Sequence, residues 1–147
     1  MCISPELAYE WDNLYLSCSN CNDKLSHEEI PVEKVLDPCT DSDVTIQNNL
    51  TFEDECICSQ PGSQIGVDTI KKFRLNSDLL DLKRGKWLQK IMKEALAIRR
   101  CMIDEGRKEA TADEKRSLLR YMQPDQPYSL MSEIFLKKNF RHLFHHR

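Results

Sequence analysis

The chain has 147 residues, 31% of them charged and 40% hydrophobic, with a formal net charge of −3. That length holds one domain, or a small module with a helical extension, and excludes a large multidomain enzyme. Four Gly and six Pro are too few for a collagen-like or low-complexity chain; no apolar run approaches the ~20 residues that span a bilayer, and no signal-peptide pattern opens the sequence.

Residues 5–25 read as a short extended or turn segment carrying Tyr9, Trp11, Leu14 and Leu16, then a knuckle. The knuckle, Ser17-Cys18-Ser19-Asn20-Cys21-Asn22, is rich in side chains that satisfy local backbone groups. Residues 23–34 are acidic and loop-like, and Pro31 opposes a helix through them. Val35-Leu36 reads as a short strand ending at Asp37-Pro38. Asp41-Ser42-Asp43 marks a turn or a helix start, and Asn48-Asn49 marks another turn. Leu50-Thr51-Phe52 and Cys56-Ile57-Cys58 form two short strands around the acidic turn Glu53-Asp54-Glu55. After a loop at 60–63, a short helix is expected over Gly66–Phe73 with Ile70 and Phe73 on its inner face.

The strongest helical pattern runs from Asp78 to Asp104. There Leu80, Trp87, Ile91, Ala95, Ile98 and Met102 recur at three-, four- and seven-residue steps. Asn76, Ser77 and Asp78 offer N-cap chemistry, and Gly106 is a stop. Thr111-x-x-Glu114 matches a capping box, and Pro124 and Pro127 end that helix near Met122. A last helix over Ser129–Phe140 places Leu130, Ile134 and Phe135 inward. The pattern is α+β and mostly α, with short strands in residues 1–65 and a helical region over 66–147.

Seven cysteines, an odd number, with no signal-peptide pattern, point to a reducing compartment and a cytoplasmic protein. Only Cys18 and Cys21 have C-x-x-C spacing, which lets two thiolates reach one tetrahedral metal from a tight turn. Zinc, a redox pair and chance all remain open for that pair, although no thioredoxin-like pattern surrounds it. Cys56 and Cys58 share a strand face and read as small apolar residues in a hairpin.

The net charge hides a division. Residues 1–68 carry two Lys against fourteen acidic side chains, a net of −12, while residues 69–147 carry nineteen Lys and Arg against ten Asp and Glu, a net of +9. The basic half fits nucleic acid, its own acidic half, or simply a solvated face. Lys24, Lys71, Lys72, Arg74, Lys83, Arg84 and Lys86 are the candidate phosphate-binding cations.

The segment Tyr9–Lys24 is more specific than its C-x-x-C. Asn13-Leu14, Cys18-x-x-Cys21-Asn22 and Lys24 together resemble the second half of the nuclease motif of HNH endonucleases. The similarity is greatest to the HNH proteins of bacterial antiviral defence operons, the Septu nuclease subunit and its retron-associated counterparts. Val35–Cys39, Leu50–Phe52, Thr69-Ile70, Leu75-Asn76, Leu80–Arg84 and Tyr128-Ser129 fall in the order that family shows. The resemblance implies a remnant ββα-metal finger. In it Asn13 orients a general-base His, Asn22 takes the His-or-Asn place after the second cysteine, and Lys24 is the family's basic residue. Cys18 and Cys21 would be half of a structural zinc site, with Mg²⁺ or Mn²⁺ at the scissile phosphate.

The same family carries a first C-x-x-C and an acidic-His pair upstream. Here eight residues precede Tyr9, with one Cys and no His, and Lys24-Leu25-Ser26-His27 replaces the usual Lys-Gly. The expectation is therefore a truncated chain, a decayed one, or one completed by another polypeptide, and inactive or weak by itself. His27 is a poor substitute base because it lies beyond the knuckle. Two functions follow. One is an HNH-type nuclease subunit acting on DNA or RNA with an ATPase partner. The other is a non-catalytic interaction module, with self-association open and no membrane involvement. A metal-free redox protein built on Cys18 and Cys21 is a distant third.

Overall fold

Short polar caps set the element boundaries. The computed structural model describes residues 30–144. The Ser42 hydroxyl accepts from the Thr45 N–H and opens α1 (Asp43–Asn49). The chain then enters an antiparallel hairpin of β1 (Leu50–Glu53) and β2 (Cys56–Ser59), in the register Leu50↔Ser59 to Glu53↔Cys56. Asp54 takes the left-handed conformation in its tight turn, at φ 52°. Ser63 caps α2 (Gln64–Phe73) by accepting from the Gly66 N–H. Arg74 ends that helix in the left-handed region, at φ 49°.

The 27-residue helix α3 (Asp78–Asp104) has the bounds its periodicity predicts. Gly106, at φ 65°, closes it, and the Arg107 N–H turns back to the Met102 carbonyl at 2.8 Å. The capping box at Thr111 opens α4 (Ala112–Arg120), which ends two residues before the expected Met122. Helix α5 (Ser129–Asn139) and a 3₁₀ turn at Arg141–Leu143 finish the described chain. The architecture is α+β and mostly helical, with a two-stranded antiparallel sheet. No described helix is long and apolar enough to cross a membrane.

The core is built on one side of α3. Leu88, Ile91, Ala95, Ile98 and Met102 pack with Leu118 of α4 and with Met131, Phe135 and Leu136 of α5, closed by Phe140 and Leu143. A smaller buried group, Ile30, Val35, Leu36 and Leu50, lies toward the hairpin and α2. The hairpin also reaches the main core through Phe52. The division at residue 65 falls inside α2.

Four local expectations are corrected. Val35-Leu36 is not a strand. Its amide is satisfied by a side chain, since the Leu36 N–H donates to Thr69 Oγ1 at 2.9 Å, so the pair is buried without a ladder. Val32–Lys34 is a 3₁₀ turn. The inner face of α2 is Gly66, Thr69 and Lys72, while Ile70 is half-buried and Phe73 is 42% exposed. On α5 the buried set is Met131, Ser132, Phe135 and Leu136, with Leu130 and Ile134 only half-buried.

The α3–α4 turn carries a titratable clamp. Both guanidinium Nη atoms of Arg107 donate to the Glu114 carboxylate at 3.0 Å, and the same carboxylate accepts the Thr111 N–H. The Arg107 contact first, then Thr111, hold the Glu114 carboxyl down from 4.5 to about 2. A depressed carboxylate stabilises the fold above its unfolded pKa, and that contribution disappears as pH falls from about 4.5 through about 2. Glu114→Gln should therefore melt at a lower temperature at neutral pH and lose less stability across that acid window. Circular-dichroism melts taken across the window check it, and parallel acid limbs in the two proteins would refute the clamp.

Candidate nucleic-acid interface

Of the seven candidate cations Lys24 lies outside the described residues, and the other six separate into an internal pair and an exposed set. Lys72 is 8% exposed, and its ammonium donates to the Ile30 carbonyl at 2.5 Å. That bond ties the acidic segment before α1 onto α2. Arg84 is 5% exposed. Its Nη1 donates to the Leu75 carbonyl at 2.7 Å and to Asp81 Oδ1 at 3.0 Å, and its guanidinium carbon stands 5.5 Å from the Phe52 ring centroid. Both charges are used within the fold, so neither side chain is presented to a phosphate.

Lys71 and Arg74 stand on the exposed C-terminal turn of α2. They border an open groove of about 500 Å³ between β2 and α2, whose floor includes Cys58, Ser59, Val67 and Ile70. Lys83 and Lys86 are exposed on α3. They begin a row that stops short in the sequence reading and continues in the structure through the exposed residues Lys90, Lys93 and Arg100. The steps are three, four, three and seven residues, which keep one side of a helix. The buried residues Arg84, Leu88, Ile91, Ala95, Ile98 and Met102 occupy the opposite side. The signal for Lys90, Lys93 and Arg100 in the sequence is periodic: the cations of the +9 half recur at helical spacing well beyond the knuckle's neighbourhood.

Around Lys90 the row is ordered by aromatic rings. Its ammonium lies 5.0 Å from the Trp87 ring centroid and 5.6 Å from that of Tyr121. Trp87 is itself fixed, because its indole N–H donates to Ser132 Oγ at 3.1 Å and its ring meets Tyr121 edge-on. The Tyr121 hydroxyl donates to Glu94 at 2.7 Å. Desolvation and that bond push the Tyr121 phenol up to about 12.

A parallel apolar row, Met92, Leu96 and Ile103, lies on the uncovered flank of α3, and Ile103 is 70% exposed. Asn13, Cys18, Cys21, Asn22, Lys24 and His27 lie outside the described residues. Among the described residues Cys39, Cys56, Cys58 and Cys101 are free thiols, and no group of three or more His, Cys, Asp or Glu could hold a metal ion. Desolvation first, then the Asp81 and Glu55 carboxylates, push the Cys56 thiol up, away from the thiolate form that metal binding and nucleophilic chemistry require. No family model, curated protein or solved structure matches the chain.

Proposed function

We propose that this chain is the nucleic-acid-holding part of an HNH-type endonuclease system, in which phosphodiester hydrolysis is metal-dependent and serves antiviral defence beside an ATPase. The observation that supports it is the exposed cationic surface formed by Lys71 and Arg74 on α2 and by Lys83 and Lys86 on α3. Lys72 and Arg84 leave the interface and hold its supports in place.

The chemistry of the donor set decides what the chain supplies toward metal. Cys18 and Cys21 fit two positions of a tetrahedral thiolate zinc site and leave two open. Asn13 would orient a base, and the 147 residues hold no acidic-His pair ahead of it. General-base catalysis contributes ~10²–10⁴-fold, so cleavage by this chain alone is expected to be at or near background.

Supercoiled DNA incubated with Mg²⁺ or Mn²⁺ tests the reading. No nicking by the 147-residue chain, with nicking when a first C-x-x-C and an acidic-His pair are supplied ahead of Met1 or by a second polypeptide, is the expected result. Nicking equal in both preparations, or absent from both, would sink it. Zinc content is a second check: one zinc per two chains means shared ligands.

The Met92, Leu96 and Ile103 row favours a second reading, a non-catalytic subunit that docks a partner ATPase or a second copy. Co-purification with an ATPase, lost in Leu96→Glu, without nicking in any preparation, would favour it.

A further inference from the structure

We infer that the row Lys83, Lys86, Lys90, Lys93 and Arg100 on α3 is a binding site for the phosphate backbone of duplex nucleic acid. The inference rests on the nucleic-acid reading above and moves the main contact from the knuckle's neighbourhood to the length of α3.

Four observations carry it. The five cations lie on the side of α3 opposite its buried stripe, so all of them face outward together. From residue 83 to residue 100 the row covers about 26 Å at ~1.5 Å per residue. One strand of a duplex presents a phosphate about every 3.4 Å of axis, so a rigid row of that length lies along roughly seven base pairs. Within α3 charge of the other sign is sparse beside it, and the hairpin brings one carboxylate near, Glu55, whose Cδ would lie 3.9 Å from a Cβ at Gly85. Between Leu82 and Ile103 the one acidic residue of α3 is Glu94, which is half-buried and accepts the Tyr121 hydroxyl. At the far end Asp104 meets Arg100 at 3.9 Å, an exposed contact that water screens.

The row also costs the free protein something. A solvated helix face usually alternates signs at three- and four-residue spacing, which is favourable. Here Lys83–Lys86, Lys86–Lys90 and Lys90–Lys93 are like-charged neighbours at those same spacings. A polyanion laid along the row removes that repulsion. Finally, Lys90 is held over Trp87 and Tyr121, so the middle of the row is ordered before any ligand arrives. An anionic membrane is the weaker match. The one apolar contribution on the row's own side is Leu79 and Leu82 at its start, while the Lys90–Arg100 stretch offers none, and the vesicle arm of the test below separates the two ligands.

The test uses the full chain, a fluorescein-labelled 24-base-pair duplex of mixed sequence, EDTA throughout, and fluorescence anisotropy from 50 to 200 mM KCl. Five phosphate contacts predict a log–log salt slope near −4.5, a loss of affinity of about 10²–10³-fold over that range. The combined variant Lys83→Glu, Lys86→Glu and Lys93→Glu should bind at least tenfold more weakly, and the corresponding Lys→Arg variant should bind like the parent. Single Lys→Ala changes at 83, 86 and 93 should each make the slope shallower by about one, which keeps the test decisive if the charge-reversed protein fails to fold. A parental slope shallower than −2, reversal without loss of affinity, or preference for vesicles containing 30% anionic lipid would overturn the inference. Because EDTA removes catalysis, row-dependent binding without any nicking activity defeats only the nuclease reading. Nicking by the extended protein that is indifferent to the row defeats only this one.

Discussion

Arg84→Ala is expected to cost about 3 kcal/mol of folding stability, because removing one member of a buried charged network leaves its partners unpaired. The side chain joins three separate pieces: the α2–α3 loop through the Leu75 carbonyl, the first turn of α3 through Asp81, and the hairpin through the face of Phe52. After truncation the Leu75 carbonyl loses its charged donor, and a void opens beneath Phe52. Asp81 is 26% exposed and turns partly to water, which moderates the loss. The Arg84 Nε–H already has no partner in the fold, so the wild-type site is not fully satisfied and Arg84→Met should lose less than Arg84→Ala. Chemical denaturation monitored by Trp fluorescence gives the numbers. The decisive comparison is with Lys86→Ala, which should leave stability within ~0.5 kcal/mol and weaken duplex binding, while Arg84→Ala does the reverse in whatever fraction remains folded. Equal stability of Arg84→Ala and the parent would show that Arg84 is a surface cation after all.

That comparison marks where the sequence was legible. Helix α3 was readable to the residue because a 27-residue apolar period, three capping candidates and Gly106 all agree. The capping box and the hairpin were readable for the same reason: local chemistry alone specifies them. Arg84 was not, because a guanidinium in the buried stripe looks like a break in the period, and only tertiary partners reveal that it fills a core position. Trp87 and Leu88 illustrate a finer limit. They flank the centre of the stripe from opposite sides, and the placement of α4 and α5 decides that Leu88 is buried while Trp87 is half-buried. Val35-Leu36 misled because two apolar residues flanked by turn residues are equally consistent with a strand and with a buried loop. Thr69, thirty-three positions away, supplies the hydrogen bond that makes the loop acceptable. The candidate interface was half legible. Lys83 and Lys86 stand out in the sequence by following the knuckle region closely, whereas Lys90, Lys93 and Arg100 show only in the helical period of charge, not of apolarity.

Gly66→Ala sets two effects of opposite sign against each other, and the structure decides the winner. Gly66 has an ordinary helical φ within α2, where alanine is normally better than glycine by about 1 kcal/mol. From sequence alone the substitution should stabilise. A Cβ at this position, however, would lie 2.3 Å from the Asn49 carbonyl oxygen, 3.0 Å from Ser63 Oγ and 3.1 Å from Ser59 Cβ. The first neighbour is backbone and cannot swing aside. The same Asn49 carbonyl accepts the Gln60 N–H at 2.9 Å, and the Asn49 side chain accepts from Ser63, so moving it disturbs the hairpin base and the α2 cap together. Overpacking of this kind costs ~1–3 kcal/mol or more, which exceeds the propensity gain, so a net loss of about 2 kcal/mol is expected. Gly66→Ser should be at least as harmful, since it adds an oxygen to the same crowded place. Thermal melts of the two variants check the sign, and a Gly66→Ala protein that melts above the parent would mean that α2 does not approach α1 this closely. The close approach also accounts for the inner face of α2. Once Gly66 sits against Asn49, the three-residue steps to Thr69 and Lys72 carry that buried side along α2, whereas Phe73, seven residues from Gly66 and on nearly its side, is exposed at the last position of the helix. One glycine thereby places Lys71 and Arg74 on the exposed side of the groove, where an anion can reach them.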